Sequence, residues 1–319
     1  MAPRVSVIVP ARNEAGHIEA CVRSVLAQEV DGGLEVIVAD GRSSDATGEL
    51  AQAAGARVID NPEGITPTAL NRGLHAARGD IILRFDAHSE MSERYIEACL
   101  RAIDEEKGAV NVGGWCEVQG TGPWGRAVAS ALASRVGVGN PRLWRRPAEG
   151  AGREDVETVP FGCFSTSVLR DAGGWRADLV RNQDFELNHR LRAAGGRIVF
   201  DPDIWFIYRP RESLVALWRQ YWTFGRWKAV MLTGAPTALK PRQLAPLALL
   251  ATVAAAAVPN RRMRFARVAL AVYGGILGAA TIRSDGGWRT FPVLATMHVA
   301  WGSGLVTELL ARRIRPSAS

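Results

Sequence analysis

A doubly wound α/β sheet followed by a helical C-terminal region at a membrane is the fold class that this 319-residue sequence predicts. Three observations carry it. Strand-like, β-branched runs alternate with helix-period segments over residues 4–90, the pattern of an open sheet with helices on both faces. Charge is divided unevenly, because 16 Lys/Arg stand against 3 Asp/Glu from Arg209 onward in a chain whose net charge is only +7. The same basic stretch holds three apolar runs, 244–258, 268–282 and 291–311.

Val5 to Val9 is nearly continuous in β-branched residues, as expected of a strand buried on both faces of a parallel sheet, and Pro10 is expected to end it. Residues 15–28 place Ile18, Cys21, Val22, Val25 and Leu26 at helical spacing, which makes a crossover helix. Val36 to Ala39 reads as the second strand. Ser43, Ser44 and Asp45 offer an N-cap for a helix reaching Gly55, and Val58-Ile59 is a third strand. A turn cluster at 61–64 and a helix over 69–77 lead into the stretch 79–88, a short apolar strand that ends in Asp86 and His88. Spaced i and i+2 in a strand, those two side chains would share a face. The carboxyl ends of parallel strands open on the ligand crevice of such sheets. A carboxylate and an imidazole there can hold a divalent cation, Mg²⁺ or Mn²⁺, against a diphosphate. Taken alone, the same residues also read as an ordinary strand end followed by a turn.

A helix over 92–106, a strand over 110–118 and a small-residue helix over 124–136 come next. Residues 137–157, rich in Gly, Pro and Arg and without periodicity, read as a lid or a plain insertion. The segment 158–164 returns to the sheet, and Asn182-Gln183-Asp184 opens a helix closed by Gly195-Gly196. Without other information Asp184 reads as a first-turn acid that complements the helix dipole, and Asp40 as a turn or capping residue.

The run 214–228 mixes aromatic residues with Arg and Lys, which suits a helix in the membrane interface. Crossing a bilayer takes ~20 residues, so 291–311 is long enough and the two shorter runs are marginal. Placing Arg261, Arg262, Arg264, Arg267, Arg312, Arg313 and Arg315 in the cytoplasm gives a hairpin of 268–282 and 291–311, with 244–258 re-entrant or interfacial. A buried helical core is the alternative. The expected divisions are a catalytic domain over 1–208, interfacial helices over 209–242 and membrane helices over 243–319. Because the Arg residues flank apolar runs, they suit an anionic membrane surface and argue against nucleic acid as a partner. Cys21, Cys99, Cys116 and Cys163 are scattered and expected to be reduced and buried. No apolar stretch precedes the first strand, so no cleaved leader is expected. Neither a Ser/His/Asp nucleophile arrangement nor a Gly-Lys-Ser phosphate loop is recognisable.

The blocks at 5–14, 36–45, 69–74, 86–88 and 182–186, in this order and spacing, resemble an inverting nucleotide-sugar glycosyltransferase of family 2. The Asp-Ala-His variant, the Asn-Gln-Asp block and the basic, apolar C-terminus resemble its succinoglycan-type, membrane-associated branch. The resemblance implies a GT-A fold, a Rossmann-like mixed sheet. It implies a nucleotide lying on Pro10, Ala11, Arg12, Glu14, Asp40, Asn71 and Asp86, and a cation, Mn²⁺ or Mg²⁺, on Asp86 and His88. It also implies Asp184 as the base, with Gly162, Gln183, Arg226 and Trp227 bordering the acceptor. Three departures are visible: Gly41 and Gln183 stand where the family carries acids, and Thr223 replaces the Gln of Q-x-x-R-W, so processive synthesis is not expected. The implied reaction moves a hexose from a UDP-sugar to a polyprenyl-diphosphate-linked saccharide at the cytoplasmic face of the cell membrane, in exopolysaccharide or other envelope glycan assembly. Transfer to a lone polyprenyl phosphate, and a nucleotide-binding scaffold with degenerate catalysis, are the rival readings.

Overall fold

The computed structural model describes residues 3–139, 142–234 and 241–314. The chain divides into two units, Met1–Glu117 with Arg142–Tyr208, and Val118–Pro141 with Arg209–Ser319. The first is a mixed α/β sheet. Its parallel half comprises β1 (Val5–Ala11), β2 (Leu34–Asp40), β3 (Arg57–Asp60) and β4 (Ile81–Arg84). To these it adds β5 (Ser89–Met91), β6 (Ala109–Val118), β7 (Glu154–Asp155), β8 (Cys163–Ser165) and β9 (Arg197–Tyr208). The strand order is β3-β2-β1-β4-β8-β6-β9-β5, with β7 on β9, and β8 runs antiparallel to β4.

Val5, Val7, Ile8 and Val9 are fully buried, as the β-branched run requires of a strand covered on both faces. The covering helices are α1 (Ile18–Leu26), α2 (Thr47–Ala53), α3 (Thr66–Ala76), α4 (Tyr95–Glu105), α7 (Thr166–Asp171) and α8 (Gln183–Ala193). One core cluster joins Ile8, Leu70, Ile82, Phe164, Trp175 and Leu187. All four cysteines are free and buried.

Several sequence expectations are corrected. Strand β1 continues through Pro10 to Ala11, since Pro10 sits at the ladder's end where its lack of an N–H is tolerated. Strand β4 stops at Arg84, so Asp86 and His88 are not strand residues; Ser89 N–H donates to Asp86 C=O (3.1 Å) and closes a turn there. Strand β9, the longest, has no counterpart among the sequence expectations; its first half is a buried run, Ile198 to Asp201, and Ile204 and Phe206 are buried beyond it. The stretch 137–157 is not a free lid throughout. Its far end pairs with β9, and Arg153 is bound to Asp201 (2.5 Å) and Glu105 (2.7 Å). Residues 140 and 141 of that stretch lie outside the described residues.

The second unit contains α5 (Pro123–Leu132), α6 (Arg135–Val138), α9 (Leu214–Gly234), α10 (Ala245–Ala257), α11 (Arg264–Ile282) and α12 (Thr290–Ile314). A division at 208 leaves 118–141 in the first domain, whereas the structure groups this segment with the C-terminal helices. The physical reason is local. Glu212 accepts from the backbone N–H groups of Thr121 (2.9 Å) and Gly122 (3.2 Å), and Gly286 packs so closely on Ala127 that a Cβ there would lie 2.5 Å from its Cα. Helices α9 and α12 cross through small residues, with Gly225 against the Trp301 carbonyl and Gly304 against the Trp222 carbonyl.

Two helical stretches, Arg261–Ile282 and Gly287–Arg312, are long and apolar enough to cross a membrane; α10, with 13 residues, is shorter. Among the described residues, every exposed large apolar side chain except Leu26 belongs to the second unit, Phe265, Ile282 and Trp288 being the most exposed. Of the expected cytoplasmic arginines, Arg315 lies outside the described residues.

At the centre of the first unit, a Cβ on Gly114 would stand 1.7 Å from the Ile204 carbonyl oxygen, a backbone atom that cannot swing away. Gly114→Ala is therefore expected to destabilise by about 1–3 kcal/mol, the range for overpacking. Thermal unfolding in detergent, with the unobstructed Gly152→Ala as control, checks this.

Candidate active site

The loops after β1 and β2 are knitted together by short polar side chains. Asn13, held at φ 56°, donates its backbone N–H to Ser43 Oγ (2.9 Å), and its side-chain oxygen accepts from Ser44 N–H (2.8 Å). Glu14 N–H donates to Thr47 Oγ1 (2.8 Å). Asp40, at the end of β2, accepts from the Ser43 hydroxyl (2.5 Å) and N–H (3.2 Å), which makes it the anchor of its own turn. Pro10 and Ala11 complete β1, and Arg12 is exposed beyond them, reaching the Gly64 carbonyl at 3.4 Å. The expected nucleotide-contacting segments Pro10 to Glu14 and Asp40 are thus brought to one edge of the parallel sheet. Asn71 has a different engagement. Its amide donates to Trp175 C=O (2.6 Å) and accepts from Trp175 N–H (2.9 Å), so both ends serve the backbone.

The side chain that organises the centre is one the sequence reading missed. Arg84, the last residue of β4, is buried and forks between two carboxylates: one guanidinium nitrogen lies 2.8 Å from Asp86 Oδ1, and the other is paired with Asp184 Oδ2. Asp184 sits in the first turn of α8, and its other oxygen accepts from Trp175 Nε1 (3.1 Å). Burial works to raise the Asp86 carboxyl, but Arg84, then His88 and Arg181, outweigh it and hold the group below the ordinary carboxylate range. His88 Nδ1 is buried without a hydrogen bond and lies 3.4 Å from Glu14 Oε1, while its ring meets Tyr208 edge-on at 5.5 Å. An orphaned imidazole nitrogen two residues from an ionised carboxylate is a donor pair suited to a divalent cation. Among the described residues, no group of three His, Cys, Asp or Glu side chains forms a complete protein cage. A Mg²⁺-type site built from one or two side chains plus substrate phosphates needs none.

Two consecutive residues with positive φ, Phe161 (64°) and Gly162 (81°), shape the floor beneath Arg84. The Arg84 guanidinium lies 5.5 Å from the Phe161 ring centroid, and Arg84 N–H donates to Gly162 C=O (3.2 Å). A Cβ on Gly162 would strike Asn111 Oδ1 and the Phe164 ring, so protein packing already requires this glycine. Asn182, at φ 63°, opens α8 and leaves Gln183 buried behind Asp184. Arg226 and Trp227 belong to the second unit. There Arg226 is paired with Glu308 (2.7 and 2.9 Å) and lies over the Trp222 ring, and Trp227 is half-buried.

The model of glycosyl transferase family 2 matches residues 6–172, more than half of the chain. The chain belongs to glycosyl transferase family 2. The succinoglycan biosynthesis protein ExoA of Rhizobium meliloti is 29% identical over 97% of this chain and 96% of its own length. A Methanococcus voltae dolichyl N-acetyl-glucosaminyl phosphate diacetamido-dideoxy-glucuronosyltransferase is 24% identical over 72% of this chain and 74% of its own. Among solved structures, the Pyrobaculum calidifontis mannosyltransferase PcManGT, in complex with GDP-Man and Mn²⁺, superposes with a TM-score of 0.66 at 20% identity, covering 98% of this chain and 88% of its own. Residues 1–349 of S. aureus TarS give 0.52 at 15% identity over 97% and 92%. The sheet is therefore the GT-A fold of glycosyltransferases. Asp184 lies beyond the family segment, and Arg84 within it.

Asn71→Ala would leave the Trp175 N–H and C=O without partners, at a cost of about 1–3 kcal/mol. The melting temperature should fall accordingly; a direct role in nucleotide contact would instead show as weakened nucleotide binding with unchanged melting.

Proposed function

We propose that this family 2 member is an inverting hexosyltransferase that moves a sugar from a nucleotide sugar, expected to be a UDP-sugar, to a polyprenyl-diphosphate-linked saccharide at the cytoplasmic face of the membrane, in exopolysaccharide or related glycan assembly. The observation that carries this reading is the meeting of Asp86 and Asp184, distant in sequence, on one buried guanidinium. Direct displacement at an anomeric carbon needs both a carboxylate on the donor's phosphate side and a second one free to take a proton.

In this reading the acceptor hydroxyl oxygen bonds to the anomeric carbon as the bond from that carbon to the diphosphate oxygen breaks. Asp184 takes the hydroxyl proton. The nucleoside diphosphate leaves with the bonding electron pair, and a single displacement inverts the anomeric configuration. Asp86 and His88 would hold the divalent cation, which supplies Lewis-acid neutralisation of the leaving diphosphate when bound. Asn71 and Trp175 hold Asp184 in register, and the loops of Pro10 to Glu14 and Asp40 receive the nucleotide. The bound Mn²⁺ and GDP-Man of PcManGT support a cation and a nucleotide sugar in this fold. The succinoglycan and dolichyl-phosphate relatives support an envelope glycan and a lipid-linked acceptor. The exposed apolar helices of the second unit support delivery of that acceptor at a membrane.

Asp184→Asn is expected to reduce transfer by at least about 100-fold, the scale of a lost general base, while nucleotide binding survives. Asp86→Ala is expected to weaken metal-dependent nucleotide binding. Calorimetry of UDP and of GDP, each with and without Mn²⁺, on the detergent-solubilised chain reads the second. Near-wild-type turnover of Asp184→Asn would require another base, and tight GDP binding would redirect the donor to a GDP-sugar.

A further inference from the structure

We propose that Arg84 is a positioning residue for the transfer reaction, a single buried guanidinium that aims the Asp184 carboxylate at the acceptor and ties it to the donor-side carboxylate Asp86. The proposal rests on the reading of Asp184 as the base.

Four features of the structure support it. The guanidinium is used as a fork, one nitrogen to each carboxylate, a geometry for which the rigid planar arginine group is pre-organised. Its environment is built for it: the Phe161 ring lies under it, the Gly162 carbonyl fixes its backbone, and both residues adopt positive φ. Such conformations persist only where surrounding structure enforces them, and they gather at working sites. The Arg84 Nε, buried without a hydrogen-bond partner, shows that the side chain is placed for its two carboxylates and not for full satisfaction of its donors. Finally, Asp184 has no freedom left to rotate, because Trp175 Nε1 holds its second oxygen and Asn71 holds the Trp175 backbone. Each carboxylate oxygen accepts more than one hydrogen bond, so the acceptor hydroxyl still finds a lone pair on Asp184.

The coupling follows from shared contact. A cation and diphosphate drawn to Asp86 act on a group that also touches Arg84, and any shift of Arg84 moves the partner of Asp184. Donor occupancy and base orientation are thereby linked through one side chain. Lysine keeps the charge but, as a point donor, cannot bridge two carboxylates in the same way. Methionine keeps the apolar stem and removes both bonds.

The test uses the full chain in detergent, with nucleotide release from UDP-glucose, or from GDP-mannose if GDP is the nucleotide that binds, and with Mn²⁺-dependent nucleotide binding by calorimetry as an independent readout. Arg84→Met is expected to lower kcat by about 100-fold, as for loss of base function, while nucleotide binding with Mn²⁺ stays within about fivefold of wild type. The double variant with Asp184→Asn should be no slower than Asp184→Asn alone, because residues acting as a unit are not additive. Arg84→Lys should recover part of the lost kcat with KM unchanged. Multiplicative losses in the double variant, or loss of nucleotide binding together with the melting transition in Arg84→Met while Arg84→Lys turns over like wild type, would overturn the proposal and leave Arg84 a structural residue. Full turnover in Asp184→Asn would instead defeat the base assignment, and it is recognised separately because it appears without any change at Arg84.

Discussion

A positive charge buried against two negative ones is the constraint around which the first unit is arranged. Removing a guanidinium from water is costly unless it is both paired and hydrogen-bonded. Arg84 meets that condition only if β4, α8 and the Phe161-Gly162 bend arrive together, since its partners come from all three. Truncating either carboxylate leaves one guanidinium nitrogen without its partner, so the pairing specifies the relation of α8 to the sheet as much as it serves chemistry. The positive φ values at Phe161, whose ring lies under the guanidinium, and at Asn182, which opens α8, are local strain that this pairing and the core around Trp175 hold in place.

How much of this was legible in the sequence depended on what the local pattern encodes. The parallel half of the sheet was readable because strands buried on both faces need continuous apolar runs, and Val5 to Val9 and Val36 to Ala39 supply them. Asp86, His88 and Asp184 were singled out as candidates through block order and spacing. Arg84 was not, because an arginine at the end of an apolar strand reads as the strand's polar terminus, and nothing local announces a partner a hundred residues away. The signal that could have found it is the preceding run Ile81-Ile82-Leu83: a charge continuing an apolar, largely buried strand needs a buried counter-charge. Trp175 was invisible for a similar reason, since its role lies in one indole N–H. The same-face argument for Asp86 and His88 failed because strand periodicity was extended past the last ladder bond, into a turn that brings His88 near Glu14 and Tyr208 while Asp86 meets Arg84.

The segment 118–141 illustrates a second limit. Its composition is that of an ordinary small-residue helix, and sequence proximity placed it with the sheet that precedes it. Small residues also mark helices that pack closely on other helices, and here Ala127 meets Gly286 while His298 bonds the Val136 carbonyl at 2.8 Å. The second unit therefore combines 118–141 with the residues from Arg209 onward. The two chain crossings into it are fastened to each other by Glu212 on Thr121 and Gly122.

The substitution of Gln183 for the acid of the family's pair bears on the proposed base. An acid at 183 would set a second carboxylate beside Asp184; with Gln183 there, Asp184 is held instead by Arg84 on one oxygen and Trp175 on the other. In the proposed oxocarbenium-like displacement the attacking hydroxyl loses its proton late, after positive charge has built up on the sugar ring. Positioning then matters more than basicity, and the arrangement of Arg84, Trp175 and Asn71 around Asp184 favours positioning.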